Sequence, residues 1–478
     1  MGQQLDLQQE NQTLRQQNAY LKEELAQLKR MIFGSKRERF IPSDLAQQSL
    51  FSREEAQQAI QQQTVTYQRD KPEKKGKAKR LLLADHLPRE EQVLEPEGID
   101  QQNSIKIGEK VSEVLEYTPG KLYVTKTVRP VYKQSDESIL VADLPCQVIP
   151  NGNAGASLLA HLSVSKFIDH LPFYRQVQIF KRDGMKIPES TISGWFRKTC
   201  ELLLPLYELM MAQINETDYI QADESPIPVL SNQKPGSTHK GYQWVFLLPK
   251  CKLVVFEYHQ SREKSVPQQI LKDFKGCLQT DGYAGYDQIG KRADITHIGC
   301  MAHARRKFEA ALDNDKELAT SAMEMFQQLY AIERKARNEE MNARQTYQLR
   351  QQESVPVLDK LKDFLDENYP KILPKSSIGK AFIYSLNQWK YLRRYTQDGN
   401  WQIDNNAVEN KIRPLALGRK NYLFAGSHNA VQQAAMIYSF FGTCKINDIN
   451  PLEWLTETLR KLPDHKVNQL HELLPVNK

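Results

Sequence analysis

Leucines near the start of the chain recur with a period of seven. The four positions are Leu7, Leu14, Leu21 and Leu28. Taken as d positions of a heptad, they place Asn11 and Asn18 at a, which is typical of a short parallel dimeric coiled coil. The pattern predicts a coil over residues 1–35 through which two copies of the chain pair. The alternative is an amphipathic helix that packs on its own domain.

A basic segment and a strand-rich segment follow the heptad. Residues 36–84 contain many cations together with proline and glycine, which predicts a linker that is either merely solvated or in contact with phosphate. Beyond it, 111–115 and 122–128 are rich in β-branched residues and flank the turn sequence Thr118-Pro119-Gly120. These two runs predict the strands of a small β module.

The middle of the chain has the pattern of a mixed sheet interrupted by helices. Three strands are predicted in succession, and helix and strand then alternate, an order that indicates a sheet covered by helices. A long charged helical pattern over 313–400 separates this part from a further helix that begins near Asn405 and is disturbed at Pro414. The predicted strands lie at 219–223, 242–248, 253–258, 277–281 and 295–299.

Helical periodicity before the sheet contains a candidate helix-turn-helix. Phe173–Arg182 is the first predicted helix, Asp183-Gly184 ends it, and Ser190 is predicted to cap a second helix over 191–199. That second helix would enter a DNA major groove, or it is a connector that packs in the core. Its candidate contact residues are Trp195, Arg197 and Lys198.

Composition limits the class of protein without fixing it. The chain has 478 residues, which favours several domains, and a net charge of +7, which permits a polyanionic partner. Its six cysteines include no CxxC pair, so no disulfide framework is indicated and a reducing cytoplasm is expected. The polar start is no signal peptide, and the apolar run 434–444 is too short to span a bilayer, so no membrane partner is expected.

Three acidic residues have positions suited to metal-dependent phosphodiester chemistry. Asp223 and Asp281 each end a predicted strand, where a sheet would hold a ligand rigidly, and Glu409 lies on the helix after the long helical segment. Carboxylates are the ligands that Mg²⁺ and Mn²⁺ prefer. Each residue also has a plain structural interpretation: turns at both aspartates, and a helix capping box formed by Asn406 with Glu409.

Strings of residues along nearly the whole chain resemble the insertion sequence 66 family of bacterial transposases, of the DDE type. Beside the leucine heptad they include Phe33-Gly34-Ser35-Lys36, Leu171-Pro172-Phe173-Tyr174-Arg175, Ala222-Asp223-Glu224, Thr280-Asp281-Gly282-Tyr283, Cys300-Met301-Ala302-His303-Ala304-Arg305-Arg306-Lys307-Phe308, Asn405-Asn406-Ala407-Val408-Glu409, Gly418-Arg419-Lys420-Asn421-Tyr422 and Asn450-Pro451-Leu452-Glu453-Trp454.

The resemblance implies a function and a site. It implies a ribonuclease-H-like core in which Asp223, Asp281 and Glu409 are the catalytic residues and the ligands of two Mg²⁺ or Mn²⁺ ions. The reaction would be cleavage at transposon ends and strand transfer into target DNA, in the bacterial cytoplasm at the nucleoid. Double-stranded DNA and accessory proteins of the same element are the implied partners.

Zinc is not expected, although members of the family usually carry a small zinc module on paired cysteines. The corresponding part of this chain has no CxxC, and Cys146 alone cannot build a tetrahedral site. A metal site at Cys300 and His303, with His297 as a third ligand, lacks a fourth ligand; the favoured interpretation is a buried Cys300 with His303 near a helix start.

Clusters of cations beside the predicted catalytic residues are candidates for contacts to DNA phosphates, with a solvated surface as the alternative. The candidates are Arg305, Arg306, Lys307, Lys411, Arg413, Arg419 and Lys420, together with Arg197 and Lys198 of the helix-turn-helix.

The sequence therefore predicts a multidomain α/β protein, a DNA transposase. A catalytically silent DNA-binding protein derived from a transposase and a structure-specific nuclease are the alternatives, and a coiled-coil scaffold fits least well. The predicted segments are a coil at 1–35, a linker at 36–84, a small β module at 85–150, a helical region at 151–212, the first part of the catalytic core at 213–312, a helical insertion at 313–400, the second part of the core at 401–442 and a C-terminal helical segment at 443–478.

Overall fold

The computed structural model describes residues 120, 122–128, 131–133, 139–141, 146–150, 152–231 and 236–477. The predicted coil and linker lie outside these residues. Residues 122–128 are exposed and form no strand, so the strand predicted there is wrong: β-branched residues favour a strand only where a partner pairs with it. Within the predicted β module, a two-stranded antiparallel sheet joins β1 (Val131–Lys133) to β2 (Ile139–Val141).

The main sheet of the described chain has five strands. The first three in sequence form an antiparallel meander, and the last two add in parallel on the other side of the first. They are β3 (Tyr219–Leu230), β4 (Thr238–Leu248), β5 (Leu253–His259), β6 (Gly276–Gln279) and β7 (Ile295–Ile298), in the spatial order β5-β4-β3-β6-β7. The predicted mixed sheet is confirmed, and each of the five strands predicted for it is present.

Strand β3 is longer than its sequence indicates. Its pairing with β4 continues to Leu230 and includes Pro226 and Pro228. The Pro228 carbonyl and the Leu230 N–H bond to Ala425, on the side of β3 away from β4. Since Pro226 and Pro228 turn their ring nitrogens to that same side, their lack of an N–H removes no hydrogen bond to β4. The prediction that Asp223 ends a strand is therefore wrong for β3 as a whole.

Helices surround the sheet, and none among the described residues is long and apolar enough to cross a membrane. They are α1 (Ala156–Phe167), α2 (Phe173–Arg182), α3 (Glu189–Glu216), α4 (Ser265–Ile270), α5 (Met301–Glu309), α6 (Lys316–Asn338), α7 (Ala343–Leu349), α8 (Val355–Asn368), α9 (Ser377–Leu392), α10 (Asn406–Tyr422), α11 (His428–Ile446) and α12 (Pro451–Lys461). The helical pattern predicted for 313–400 is thus confirmed.

The edge strand β5 is covered by helix α11. The Ser439 hydroxyl accepts a hydrogen bond from the Phe256 N–H at 2.8 Å, and the Thr443 hydroxyl accepts one from the Val254 N–H at 3.0 Å. Tyr207 of α3 donates to the Phe256 carbonyl at 2.7 Å. These side chains pair with outer backbone groups of Val254 and Phe256, so α3 and α11 cover this part of the sheet edge.

The candidate helix-turn-helix is only partly as predicted. Helix α2 has the predicted bounds, Phe173–Arg182, and Gly184, two residues after its end, has a φ of +84°. The second helix is preceded by Pro188 instead of the predicted Ser190 cap, and it continues to Glu216, past the predicted boundary at 212. Trp195 is half-buried against the core, as the alternative interpretation requires.

A buried ion pair joins parts of the helical insertion. Arg350 stands at the start of a π-helical turn, with 2% of its side chain exposed, and both ends of its guanidinium bind the Glu333 carboxylate of α6 at 2.8 and 2.6 Å. It also donates to the carbonyl groups of Tyr395, Asp398 and Trp401. This side chain therefore fixes the segment that leads toward α10.

Replacing Arg350 with methionine is expected to lower the free energy of unfolding by about 3–5 kcal/mol, because Glu333 would remain buried without its partner. Denaturant unfolding measures the change. Lys335→Met is the control, since Lys335 pairs with Glu353 between the same two segments but both side chains are more than 40% exposed; its effect should stay below about 1 kcal/mol. Equal effects of the two variants would contradict the assignment.

Two buried glutamines tie the segment before α10 to the centre of the sheet. Gln221 of β3 donates to Gln279 Oε1 of β6 at 2.9 Å and to the Asp404 carbonyl at 3.1 Å. Gln279 donates to the Gln402 carbonyl at 2.8 Å, and the Tyr219 hydroxyl links the same groups. Because the side chains of Tyr219, Gln221 and Gln279 are buried, losing one of them leaves an unpaired polar group in the interior.

The substitution Gln279→Leu is expected to destabilise the chain by at least about 3 kcal/mol, because several hydrogen bonds lose a partner in a buried place. It should also speed hydrogen–deuterium exchange in 402–405 more than in α6. Gln269→Leu, at an exposed position of α4, is the matched control and should change neither quantity. Unchanged exchange at 402–405 in Gln279→Leu would show that the network does not hold this segment.

Candidate active site

Asp223 lies on β3 and Asp281 follows the end of β6, at equivalent positions relative to the register of these two parallel strands. The parallel register pairs Gln221 of β3 with Gln279 of β6, and each aspartate lies two residues farther along its strand direction. Neighbouring strands are about 4.8 Å apart, and residues two apart lie on the same face. The structure thus brings the two aspartates to one edge of the sheet, where β6 ends and β3 continues.

Asp281 stands in a defined turn after β6. One oxygen of its carboxylate accepts a hydrogen bond from the Tyr283 N–H at 2.9 Å, and Gly282 supplies a φ of +88° that disfavours other residues. Tyr384 of α9 donates to the Asp281 carbonyl oxygen at 2.8 Å. The turn interpretation is therefore correct for the backbone, and the helical insertion contacts the same residue.

Glu409 is held by cationic and aromatic side chains of α5. The residue preceding α10 is Asn405 and makes no side-chain cap, so the capping box of Asn406 with Glu409 is wrong. Instead, Glu409 Oε1 accepts from Arg306 at 2.7 Å and lies 3.7 Å from His303 Nδ1. Asn405 donates from its side chain to the Ala222 carbonyl at 3.0 Å, which joins the start of α10 to β3 next to Asp223.

The three carboxylates interact electrostatically. Burial raises the pKa of Asp223 to about 8, with additional repulsion from the Glu224, Asp281 and Glu409 carboxylates. Burial also raises the pKa of Glu409, against the effect of Arg306, and Asp281 adds to the rise. A concentration of partly buried negative charge of this kind is stabilised by a cation, and its oxygen donors suit Mg²⁺ or Mn²⁺.

A second acidic side chain lies directly beside Asp223. Glu224 has 2% of its side chain exposed and pairs with Arg262, whose guanidinium lies 3.8 Å from the centre of the Tyr283 ring. Tyr286 approaches the same carboxylate at 3.5 Å. Sequence reasoning quoted Glu224 only as part of a string, because the partners that neutralise it come from loops that have no pattern of their own.

His303 lies in the first turn of α5, as predicted, but the sequence did not reveal its proximity to Glu409. Among the described residues, one set of three possible ligand atoms lies within 4.8 Å of one another, from Cys300, His303 and Glu409. The sequence had suggested His297 as the third member, but His297 contacts Thr280 at 2.8 Å. Burial, together with Arg306, lowers the pKa of His303 to about 4, and Cys300 is fully buried, as predicted.

The predicted DNA-contacting cations fall into two groups. Arg413 and Lys420 are exposed, and their spacing puts them on the face of α10 that carries Glu409. Lys411 is half-buried, and burial with the nearby Lys445 lowers its pKa. Arg419 donates to the Pro226 carbonyl and thereby holds α10 on β3.

The cations on α5 and α3 are also placed individually. Arg305 lies 3.8 Å from Glu309, and Lys307 lies 4.7 Å from the centre of the Tyr384 ring. Arg197 is exposed and within 3.8 Å of Glu201, and Lys198 is exposed beside it. Their contacts to DNA stay a prediction.

Comparisons with known proteins agree along the chain. Residues 151–433 match the family described as Transposase IS66 family, residues 439–476 match its IS66 C-terminal element, and residues 20–91 match Transposase C of IS166 homeodomain. The last match covers much of the predicted coil and linker.

Three proteins of Sinorhizobium fredii are similar over most of their length. Uncharacterized protein y4qI is 31% identical over 433 residues, which cover 85% of this chain and 79% of that protein. Uncharacterized protein y4hP is 30% identical, covering 82% and 75%, and uncharacterized protein y4jD is 31% identical, covering 83% and 81%. Since the first family match alone spans more than half of the chain, this protein belongs to the IS66 family of transposases.

Proposed function

We propose that this chain cuts DNA at transposon ends and joins the cut strand to target DNA, with Asp223, Asp281 and Glu409 as its catalytic residues. One observation carries the proposal: in a member of a transposase family, two aspartates at equivalent positions of parallel strands interact electrostatically with a glutamate from a helix far along the chain. Family membership supports a role in transposition, and the three carboxylates supply the chemistry.

The arrangement of the sheet supports a ribonuclease-H-like core. A three-stranded antiparallel meander is extended by two parallel strands beside β3, and helices connect and cover them. The helical insertion separates β7 and α5 from α10, so the third carboxylate returns to the sheet only after the insertion. This order is the one that the resemblance to DDE transposases implies.

The three carboxylates are the residues that would hold two divalent ions. When bound, such ions activate the attacking oxygen and stabilise the leaving oxygen of a phosphodiester. Asp223 and Asp281 offer oxygens from the sheet edge, while Glu409 offers one from α10. Two ions rather than one are part of the proposal because phosphodiester cleavage uses one ion at the attacking oxygen and one at the leaving oxygen.

The side chains around the carboxylates position them. Arg306 neutralises Glu409 and keeps it on the α5 side of the site, and His303 adds an uncharged imidazole next to it. Arg262 neutralises Glu224 in the same way. This buried acid beside Asp223 would therefore not compete with the three carboxylates for the divalent ions as an unpaired charge. The reaction then has two steps: water breaks the P–O3′ bond at the transposon end, and the freed 3′-hydroxyl displaces a 3′-oxygen of the target.

Double-stranded DNA is the partner that the exposed cations support. Arg413 and Lys420 continue outward from Glu409 along one face of α10, and Lys307 is exposed on α5. These cations would contact phosphates on both sides of the bond to be cut. Pairing of two copies through residues 1–35 and accessory proteins of the same element belong to this proposal as well.

The substitution Asp281→Asn is expected to lower cleavage and joining in Mg²⁺ by roughly 10³-fold or more, because it removes an ionised ligand oxygen. The substrate is a duplex with the inverted repeat that flanks the gene, and gel shifts follow its binding. Asp287→Asn is the matched control, since Asp287 is exposed six residues farther on.

The outcomes of this test separate the candidate functions. Loss of both reactions with binding retained supports the proposal, whereas undiminished joining by Asp281→Asn overturns it. Cleavage without joining by the unaltered chain would favour a structure-specific nuclease. Specific binding without any cleavage would favour a silent DNA-binding protein.

The substitution Arg413→Gln should weaken binding to the transposon end and reduce the slope of log affinity against log salt by about 0.9, because one phosphate contact is lost. Lys411→Gln is the control on the same helix, since Lys411 is half-buried and lies on the other face. Fluorescence anisotropy over a range of salt concentrations measures both variants. Equal changes in slope would refute the division of α10 into two faces.

A further inference from the structure

The turn between α10 and α11 has an unusual backbone. Leu423 has φ +60° and ψ −48°, and the Phe424 N–H bonds to the Tyr422 carbonyl at 2.6 Å. These features define a γ-turn of the rare, strained kind. Leu423 occupies a backbone conformation that favours glycine. Strain of this kind tends to be kept where the side chain has a function.

The turn is apolar, exposed and rigidly attached. Leu423 is 66% exposed and Phe424 is 42% exposed. On one side the Leu423 N–H bonds to the Arg419 carbonyl at 2.9 Å, as the end of α10. On the other side Ala425 bonds through both backbone groups to Pro228 and Leu230 of β3, each at 2.9 Å. The two exposed side chains are therefore presented on a support that is fixed at both ends.

The surroundings of the turn are basic. The sequence has no acidic residue between Glu409 and Asp448. Lys420 is exposed within the last turn of α10, and the exposed Arg175 of α2 lies 3.5 Å from Asn421 Oδ1. An exposed apolar tip within cations, without acids nearby in sequence, is complementary to a polyanion that also offers apolar faces, which is DNA.

We propose that Leu423 and Phe424 form a wedge that enters bound duplex DNA and unstacks one base step. Apolar side chains used in this way allow a protein to bend DNA toward itself. The wedge rests on the proposed function, because the duplex it would enter is the transposon-end DNA that the carboxylates would cut.

The position of the wedge relative to the carboxylates follows from the helix. Glu409 and Leu423 stand at opposite ends of α10, which puts them roughly 20 Å apart along its axis. If the duplex follows α10, this length corresponds to about six base pairs. Arg413 and Lys420, on the same face as Glu409, then contact the phosphates between the cut and the unstacked step.

The test uses the full chain in EDTA, so that binding and unstacking are measured without cutting. The probe is a duplex of the inverted repeat that flanks the gene, with 2-aminopurine placed at successive positions. The unaltered chain should raise the fluorescence roughly threefold or more at one or two adjacent positions, because unstacking relieves quenching. The double variant Leu423→Gly, Phe424→Ala should abolish this rise.

A second readout separates unstacking from general binding. The double variant should bind the intact duplex roughly tenfold more weakly, but it should bind a duplex with a mismatch at the affected step almost as well as the unaltered chain does, because that step is already unstacked. Its melting temperature should not fall, since glycine adopts positive φ freely. Leu204→Ala, which also removes an exposed apolar side chain at 42% exposure, is the matched control.

Three results would overturn the wedge. They are no fluorescence rise with the unaltered chain, a rise retained by the double variant, or an equal loss of affinity for intact and mismatched duplexes. Where the double variant retains the rise, a change in its sedimentation would assign the turn to contact between copies of the chain. Failure of the proposed function looks different: the fluorescence rise persists, but Mg²⁺ supports no cleavage.

Discussion

The position of Glu409 depends on a buried contact between Gln221 and Gln279. These side chains bridge β3 and β6 and hold the backbone of the segment that precedes α10. The helical insertion alone could not place Glu409 accurately, because small changes over so many residues would accumulate at α10. The two glutamines make the position of α10 independent of the exact path of the insertion. They hydrogen-bond the backbone of 402–404 directly to β3 and β6, which lead to Asp223 and Asp281.

The sequence predicted the sheet well because its strands have strong local patterns. Apolar, β-branched runs in β4 and β5 are buried on both faces and bounded by turns. The prediction failed in β3, which was expected to end at Asp223 because a proline such as Pro226 ordinarily ends a strand. The continuation of β3 depends on which edge of the strand has a partner, and no local pattern contains that information. It failed again at 122–128, where β-branched residues are present but no strand forms.

The site was less predictable than the fold. The spacing of Asn406 and Glu409 fits a capping box, and only a contact with Arg306, 103 residues away in sequence, shows that the carboxylate is used otherwise. The sequence placed His303 near a helix start, as observed, but its proximity to Glu409 depends on the same long-range packing. Patterns of neighbouring residues report on turns and faces, whereas a site assembled from β3, β6, α5 and α10 is defined by long-range contacts. The resemblance to a family identified the three carboxylates that spacing could not distinguish from ordinary turn and cap residues.

Helix α10 joins the acidic and the basic parts of the molecule. It begins next to buried carboxylates whose repulsion raises the pKa of Asp223, and the chain then has no further acid until Asp448. Negative charge is thus confined to the place where cations can neutralise it, while the outward face of the same helix carries Arg413 and Lys420. Under the proposed function, a phosphate backbone that follows this face would be repelled only where divalent ions would compensate for the repulsion. In that proposal, the distribution of charge along one helix would set the line along which DNA approaches the carboxylates, and the strained turn at Leu423 stands at the far end of the same helix.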